Sequence, residues 1–114
     1  MVAADGSHGL LLLLLVFAPV TEELVFRAGL LEGLLRRGWR AGSAVALSAL
    51  AFAAAHLVTQ PAGWALAIVA PGVLLGALYA RTRRVGPCIA LHAAMNGVWL
   101  LAAPGFGHGQ GVGP

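Results

Sequence analysis

The chain has few charges, one cysteine and no lysine. Only 10% of its 114 residues are charged, 60% are hydrophobic, and the mean hydropathy is +0.88. Soluble domains carry about 25% charged residues, and a domain this small has too little interior to bury so much apolar surface. The composition therefore excludes a soluble globular protein and predicts an integral, multi-pass membrane protein.

The other scarce residue types exclude further classes of protein. Because Cys88 is the only cysteine, it cannot form an internal disulfide, and we expect it to pack as a small apolar residue. Six of the seven arginines flank apolar runs and form no basic patch interleaved with aromatics, so we expect no nucleic-acid partner. No basic residue precedes the first apolar run, which argues against a signal peptide.

The apolar residues fall into long segments, without the alternation that indicates strands and without an internal repeat. The segments occupy about residues 9–36, 44–58, 62–80 and 85–103. They predict an all-α, polytopic transmembrane bundle of about four helices. At about 1.5 Å per residue the first segment exceeds the ~30 Å hydrocarbon core, and we expect Pro19 to kink it because proline has no amide hydrogen. Residues 1–8 and the glycine-rich residues 104–114 are expected to be disordered.

Arginines are concentrated in two of the three connections between these segments. They are Arg36, Arg37 and Arg40 after the first segment, and Arg81, Arg83 and Arg84 after the third. The positive-inside rule places both connections in the cytoplasm and both chain ends outside. This orientation is consistent with four membrane crossings of what we expect to be a bacterial cell membrane.

Small residues recur at four-residue spacing in two segments, as Gly29 and Gly33 and as Gly72 and Gly76. Helices in lipid associate through close backbone approach, which such spacing permits. We therefore expect both pairs to lie at helix contacts, although the abundance of glycine in this chain offers an alternative explanation.

Polar and aromatic residues near the segment ends have a structural interpretation. Glu32 and Arg36 are four residues apart, so we expect them to pair at the rim of the bundle. Amphipathic indoles anchor helices at the membrane interface, and we expect this of Trp39, Trp64 and Trp99.

Ionisable residues inside the first apolar segment are the best indication of function. Burying a charge in hydrocarbon costs about 2.5–3.5 kcal/mol, so such residues usually have a partner and a role. Glu23 and Arg27 are four residues apart and can pair on one face of a helix. Glu22 lies about 100° around the helix and is expected to be the free carboxylate.

The later segments add two imidazoles and a carboxamide. His92 and Asn96 share a helix face, and His56 follows Phe52 by four residues. A carboxylate can act as a general base, while imidazole and carboxamide groups can stabilise an oxyanion. The alternative is that these groups only hydrogen-bond the helices to one another.

Three short motifs stand in order along the chain: Glu22-Glu23-x-x-x-Arg27, Phe52-x-x-x-His56 and His92-x-x-x-Asn96. They resemble the motifs of the CPBP family of intramembrane glutamic endopeptidases. This family includes CAAX prenyl proteases and bacteriocin-processing or self-immunity proteins. The similarity covers about residues 15–100. The resemblance implies a membrane-embedded endopeptidase that needs no cofactor and acts on a peptide or protein at the bilayer, prenylated in the CAAX type.

The resemblance also implies a role for each motif residue. Glu22 would activate the attacking water with help from His56, and the oxyanion would be stabilised by His92 and Asn96. The supporting residues would be Glu23, Arg27 and Phe52. Members of the family usually have roughly twice as many transmembrane helices as this chain, so we expect the catalytic part of a larger family fold. Either the chain is a fragment of a longer gene product, or helices of another chain complete it.

Two alternative functions remain open. One is a zinc peptidase with Glu22, His56 and His92 as ligands, although the His-Glu-x-x-His motif is absent. The other is a non-catalytic membrane binding or immunity protein of the same fold. Counted along their helices, Glu22 and His56 are expected to lie about 20 Å from the arginine-rich connections, toward the non-cytoplasmic side of the membrane.

Overall fold

The computed structural model describes residues 8–102. This part of the chain forms four helices and contains no strand. The helices are α1 (His8–Arg36), α2 (Ala41–Val58), α3 (Ala62–Thr82) and α4 (Val85–Ala102). Each is long and apolar enough to cross a membrane, which confirms the predicted all-α transmembrane bundle. Disorder was predicted for residues 1–8 and 104–114, which lie outside the described residues except for His8, which belongs to α1.

Helix α1 alternates between two patterns of backbone hydrogen bonding. Its π-type stretches are Leu13–Phe17 and Leu24–Leu31. Its α-type stretches are residues 8–12, Ala18–Glu23 and Glu32–Arg36. In a π turn the N–H bonds to the carbonyl five residues earlier, which leaves the helix locally wider. Pro19 is buried at the junction between the first π stretch and the following α stretch. The proline thus marks a change of hydrogen-bonding pattern within a continuous helix.

The turn between α1 and α2 depends on a glycine. Gly38 has φ = 90°, a conformation that residues with a side chain rarely adopt. Its N–H donates to the Leu35 carbonyl at 3.1 Å, and the N–H of Trp39 donates to the Leu34 carbonyl at 3.1 Å. This pair of bonds is a Schellman motif, which caps the last carbonyls of α1 and starts the short connection to α2.

Helices α2 and α3 pack closely because glycines line one face of α3. A β-carbon added at Gly76 would lie 3.0 Å from Cγ1 of Val45, and one added at Gly72 would lie 3.2 Å from Cβ of Ala49. The predicted helix contact of this glycine pair is confirmed. On α1 a β-carbon at Gly33 would meet nothing within 4 Å, and one at Gly29 would meet only the Leu24 carbonyl oxygen of the same helix, at 3.2 Å. Neither glycine of this pair therefore makes the predicted close contact with another helix.

The arginine-rich connections meet at one end of the bundle through Glu32. Its carboxylate accepts hydrogen bonds from Nε of Arg36 at 2.8 Å, from Nη2 of Arg83 at 2.6 Å and from the Tyr79 hydroxyl at 2.8 Å. The Glu32–Arg36 pair is therefore confirmed, and the hydrogen bond to Glu32 raises the pKa of Arg83. The buried cluster at this end comprises Leu31, Leu34, Ala44, Val45, Leu75, Tyr79 and Cys88.

Candidate active site

A cavity of about 450 Å³ lies in the other half of the bundle. Thr59 and Gln60 of the α2–α3 connection line it, so it lies toward the end opposite the arginine-rich connections. Five of the seven residues predicted for the site also line it. They are Glu22, Phe52, His56, His92 and Asn96. The folded chain thus brings residues from α1, α2 and α4 to one cavity.

The two adjacent glutamates of α1 have different surroundings. The Glu22 side chain is 31% exposed and lines the cavity, whereas the Glu23 side chain is fully buried. Consecutive residues of a helix point about 100° apart, so only one of the two can face the cavity while the other packs against protein. Glu22 is therefore the carboxylate that a molecule in the cavity would meet.

Glu23 pairs with Arg27, as the four-residue spacing predicted. Their atoms Oε1 and Nε are 3.4 Å apart, and both side chains are fully buried. This contact lacks hydrogen-bond geometry, because Glu23 Oε1 and Arg27 Nε and Nη1 have no hydrogen-bond partner. Arg27 gains two further contacts, an Nη2 hydrogen bond of 3.0 Å to the Gly72 carbonyl and a stacking distance of 4.6 Å to the Phe52 ring. These contacts offset part of the cost of burying the guanidinium.

His92 joins the two glutamates. Its Nδ1 lies 2.7 Å from Glu23 Oε2, and its Nε2 lies 3.3 Å from Glu22 Oε1. Glu22 thus lies outside the Glu23–Arg27 pair, as its position on the helix predicts, but it contacts His92 of α4. An ionised carboxylate only accepts hydrogen bonds, so ionised Glu23 requires a proton on Nδ1. The Nε2–Oε1 contact of 3.3 Å is a close approach without hydrogen-bond geometry, so it does not assign a proton to either atom.

His56 lies where α2 changes from α-type (Ala41–Ala55) to 3₁₀-type hydrogen bonding (His56–Val58). Its N–H donates to the Ala53 carbonyl, which leaves the Phe52 carbonyl without its usual partner four residues ahead. Nδ1 of His56 lies 2.7 Å from that carbonyl oxygen. Because a carbonyl only accepts, Nδ1 carries the proton, and Nε2 of the neutral ring is left as a proton acceptor.

Phe52 lies at the centre of the site and contacts residues of three helices. Its ring makes edge-to-face contacts with Phe26, His56 and His92, at centroid distances of 5.4, 4.9 and 5.7 Å. The Arg27 guanidinium lies over the same ring. The Phe52 ring therefore contacts both imidazoles and the guanidinium of the buried ion pair, and it also lines the cavity.

Asn96 hydrogen-bonds the backbone of α1. Its Nδ2 donates to the Leu14 carbonyl at 2.7 Å, and its side chain also lines the cavity. Helical spacing did not indicate this contact, because it joins α4 to a residue of α1 that belongs to no motif. The signal that could have found it is Pro19, which lies five residues after Leu14 and cannot donate to a carbonyl.

The described residues contain no group of three or more His, Cys, Asp or Glu side chains arranged to hold a metal ion. Glu22, His56 and His92 line one cavity, yet the direct contacts of His92 are with the two glutamates. A chelation experiment therefore distinguishes a zinc mechanism from a metal-free one.

Comparison with known proteins adds a family match to this geometry. A family model described as type II CAAX prenyl endopeptidase Rce1-like matches residues 5–98. The matched range contains the three motifs of the candidate site and agrees with the resemblance noted from them. Comparisons with curated proteins and with solved structures gave no match.

Proposed function

Because this chain belongs to the Rce1-like family of type II CAAX prenyl endopeptidases, we propose that it hydrolyses a peptide bond in the membrane with a water activated by Glu22. The proposed substrate is a membrane-associated peptide or protein of the CAAX or bacteriocin-related type. The observation that carries the proposal is the cavity in which one carboxylate faces two imidazoles and a carboxamide.

Water activation is assigned to Glu22 because it is the glutamate that reaches the cavity. A water between Glu22 and the substrate carbonyl gives a proton to the carboxylate as its oxygen attacks the carbonyl carbon. The free Nε2 of His56 provides a second acceptor that orients this water. The low-dielectric surroundings strengthen these interactions relative to water.

Oxyanion stabilisation is assigned to His92 and Asn96. As the new C–O bond forms, the carbonyl electron pair moves onto oxygen, and the oxyanion needs hydrogen-bond donors. With Nδ1 of His92 held by Glu23, the side of the ring that bears Nε2 faces Glu22, and an Nε2–H can donate to the oxyanion. Asn96 has a second N–H besides the one bound to Leu14.

The remaining step breaks the C–N bond. The proton that Glu22 took from water passes to the leaving nitrogen, and the electron pair of the oxyanion re-forms the carbonyl. The products are a carboxylic acid and an amine, and Glu22 returns to its ionised form. Glu23 acts through His92, whose Nδ1 it holds at 2.7 Å, and does not touch the substrate.

The test compares two glutamate variants of the same helix. The full chain in lipid nanodiscs is incubated with fluorogenic peptides, with and without a prenyl group. We expect Glu22→Gln to lower kcat/KM by about 10²–10⁴ because the general base is lost. Glu32→Gln, at the opposite end of α1, should leave cleavage within about twofold, since it removes one charge far from the cavity.

Equal cleavage by wild type and Glu22→Gln would remove the proposal. The non-catalytic alternative makes a different prediction for cells. If the chain acts as a binding or immunity protein, Glu22→Gln would keep the cellular phenotype although it changes the cavity charge.

A further inference from the structure

The carbonyl of Leu14 has lost both of its helical partners. In an α-helix it would accept the N–H of Ala18, but that N–H donates to the Leu13 carbonyl instead. In a π turn it would accept the N–H of residue 19, which is a proline and has none. An unpaired carbonyl within a membrane span is costly, so this oxygen requires a donor from elsewhere.

Asn96 supplies that donor from α4. Its Nδ2 lies 2.7 Å from the Leu14 oxygen. The helices approach closely here, because the next residue is Gly97, where an added β-carbon would lie 3.7 Å from Cδ2 of Leu15. Since a carbonyl only accepts, the NH₂ end of the carboxamide must face α1.

This contact fixes the orientation of the carboxamide in the cavity. One N–H of Asn96 is held by Leu14, and the other N–H and Oδ1 remain for a molecule in the cavity that the side chain lines. Without the Leu14 acceptor, the carboxamide could rotate about its last bond, a torsion with broad energy wells. Correct positioning of an oxyanion donor contributes a large part of the rate enhancement.

We infer that Pro19 is a positioning residue for Asn96: by having no N–H, it leaves the Leu14 carbonyl free to hold the Asn96 carboxamide with one N–H directed to the oxyanion. Pro19 itself is buried and does not line the cavity. The functional part of this inference rests on the proposed hydrolysis, whereas the hydrogen-bond part does not.

The variant Pro19→Ala tests the hydrogen-bond part without a substrate. Alanine restores an N–H at position 19, and the N–H of residue 18 can also return to Leu14, so the helix competes with Asn96 for the carbonyl. Asn96 is the single asparagine of the chain, so labelling asparagine with an NMR-active nitrogen isotope gives one side-chain NH₂ pair. The matched control is Pro87→Ala, in the first turn of α4 and away from the cavity.

We expect the wild type and the Pro87→Ala control to show one slowly exchanging amide proton. In Pro19→Ala this proton should exchange with solvent roughly five- to tenfold faster, as the loss of one hydrogen bond implies. Equal exchange in wild type and Pro19→Ala would overturn the inference. The inference would also be overturned if both Asn96 amide protons of the wild type exchanged as rapidly as those of a free amide.

Kinetics test the functional part. We expect Pro19→Ala to lower kcat by about tenfold and to change KM by less than about twofold. This loss of kcat is smaller than the roughly 10²–10³-fold loss that follows removal of an oxyanion donor, because the Asn96 donor is still present. In an Asn96→Ala background the same change should cause no further loss, because the residue acts only through Asn96. A further loss of the same size would overturn this role. Retained cleavage by Glu22→Gln would instead refute the proposed hydrolysis and leave the exchange result standing.

Discussion

The buried charge of Glu23 makes Arg27 the residue whose loss should most destabilise the bundle. The change Arg27→Met keeps most of the side-chain volume but removes the cation beside a fully buried carboxylate. Breaking a buried ion pair by removing one partner costs about 3–5 kcal/mol, because the other charge stays buried. The Gly72 carbonyl also loses a donor, at about 1 kcal/mol. His92 can still carry the proton that faces Glu23, so we expect the ion-pair cost to lie at the low end of this range, about 3 kcal/mol. With the lost hydrogen bond to Gly72, the total is about 4 kcal/mol.

The measurement is reversible unfolding in mixed micelles, followed by tryptophan fluorescence. The control Arg37→Met alters an exposed arginine in the α1–α2 connection and should change the free energy of unfolding by less than about 0.5 kcal/mol. The double variant Glu23→Gln with Arg27→Met removes both buried charges and should be more stable than Arg27→Met by at least about 1 kcal/mol. The buried ion pair does not control stability if Arg27→Met lowers the free energy of unfolding by less than about 1 kcal/mol, or if the double variant is less stable than Arg27→Met.

Two further predictions concern helix packing and metal dependence. Gly76→Val should lower the free energy of unfolding by about 1–3 kcal/mol, because its β-carbon would lie 3.0 Å from Val45. Gly33→Val, with nothing within 4 Å of an added β-carbon, should cost less in the same micelle assay, and the reverse order would contradict the packing. Cleavage should persist in excess chelator, and elemental analysis should find less than one zinc per chain, because the proposed chemistry uses the Glu22 carboxylate. Inhibition by the chelator that added zinc reverses would favour the zinc peptidase instead.

Much of the fold was predictable, because the bilayer requires long apolar helices and the composition shows them. The Glu23–Arg27 pair was predictable for a similar reason, since four-residue spacing places two side chains on one face. The contact between His92 and Glu22 was not predictable, because it depends on how α4 lies beside α1. The glycine pairs illustrate the same limit: Gly76 packs against α2, while Gly33 has open space at the same spacing. Periodicity defines the face of a helix but not its neighbour.

The least predictable contacts are those that arise where a helix departs from the α pattern. In α2 the change to a 3₁₀ turn releases the Phe52 carbonyl, which His56 Nδ1 contacts at 2.7 Å. In α1 a π turn before Pro19 releases the Leu14 carbonyl, which Asn96 contacts at 2.7 Å. In both places a motif side chain satisfies a backbone oxygen that lipid could not. Orientation of the site and integrity of the helices therefore depend on the same two hydrogen bonds, so alanine substitutions at these positions change stability together with chemistry.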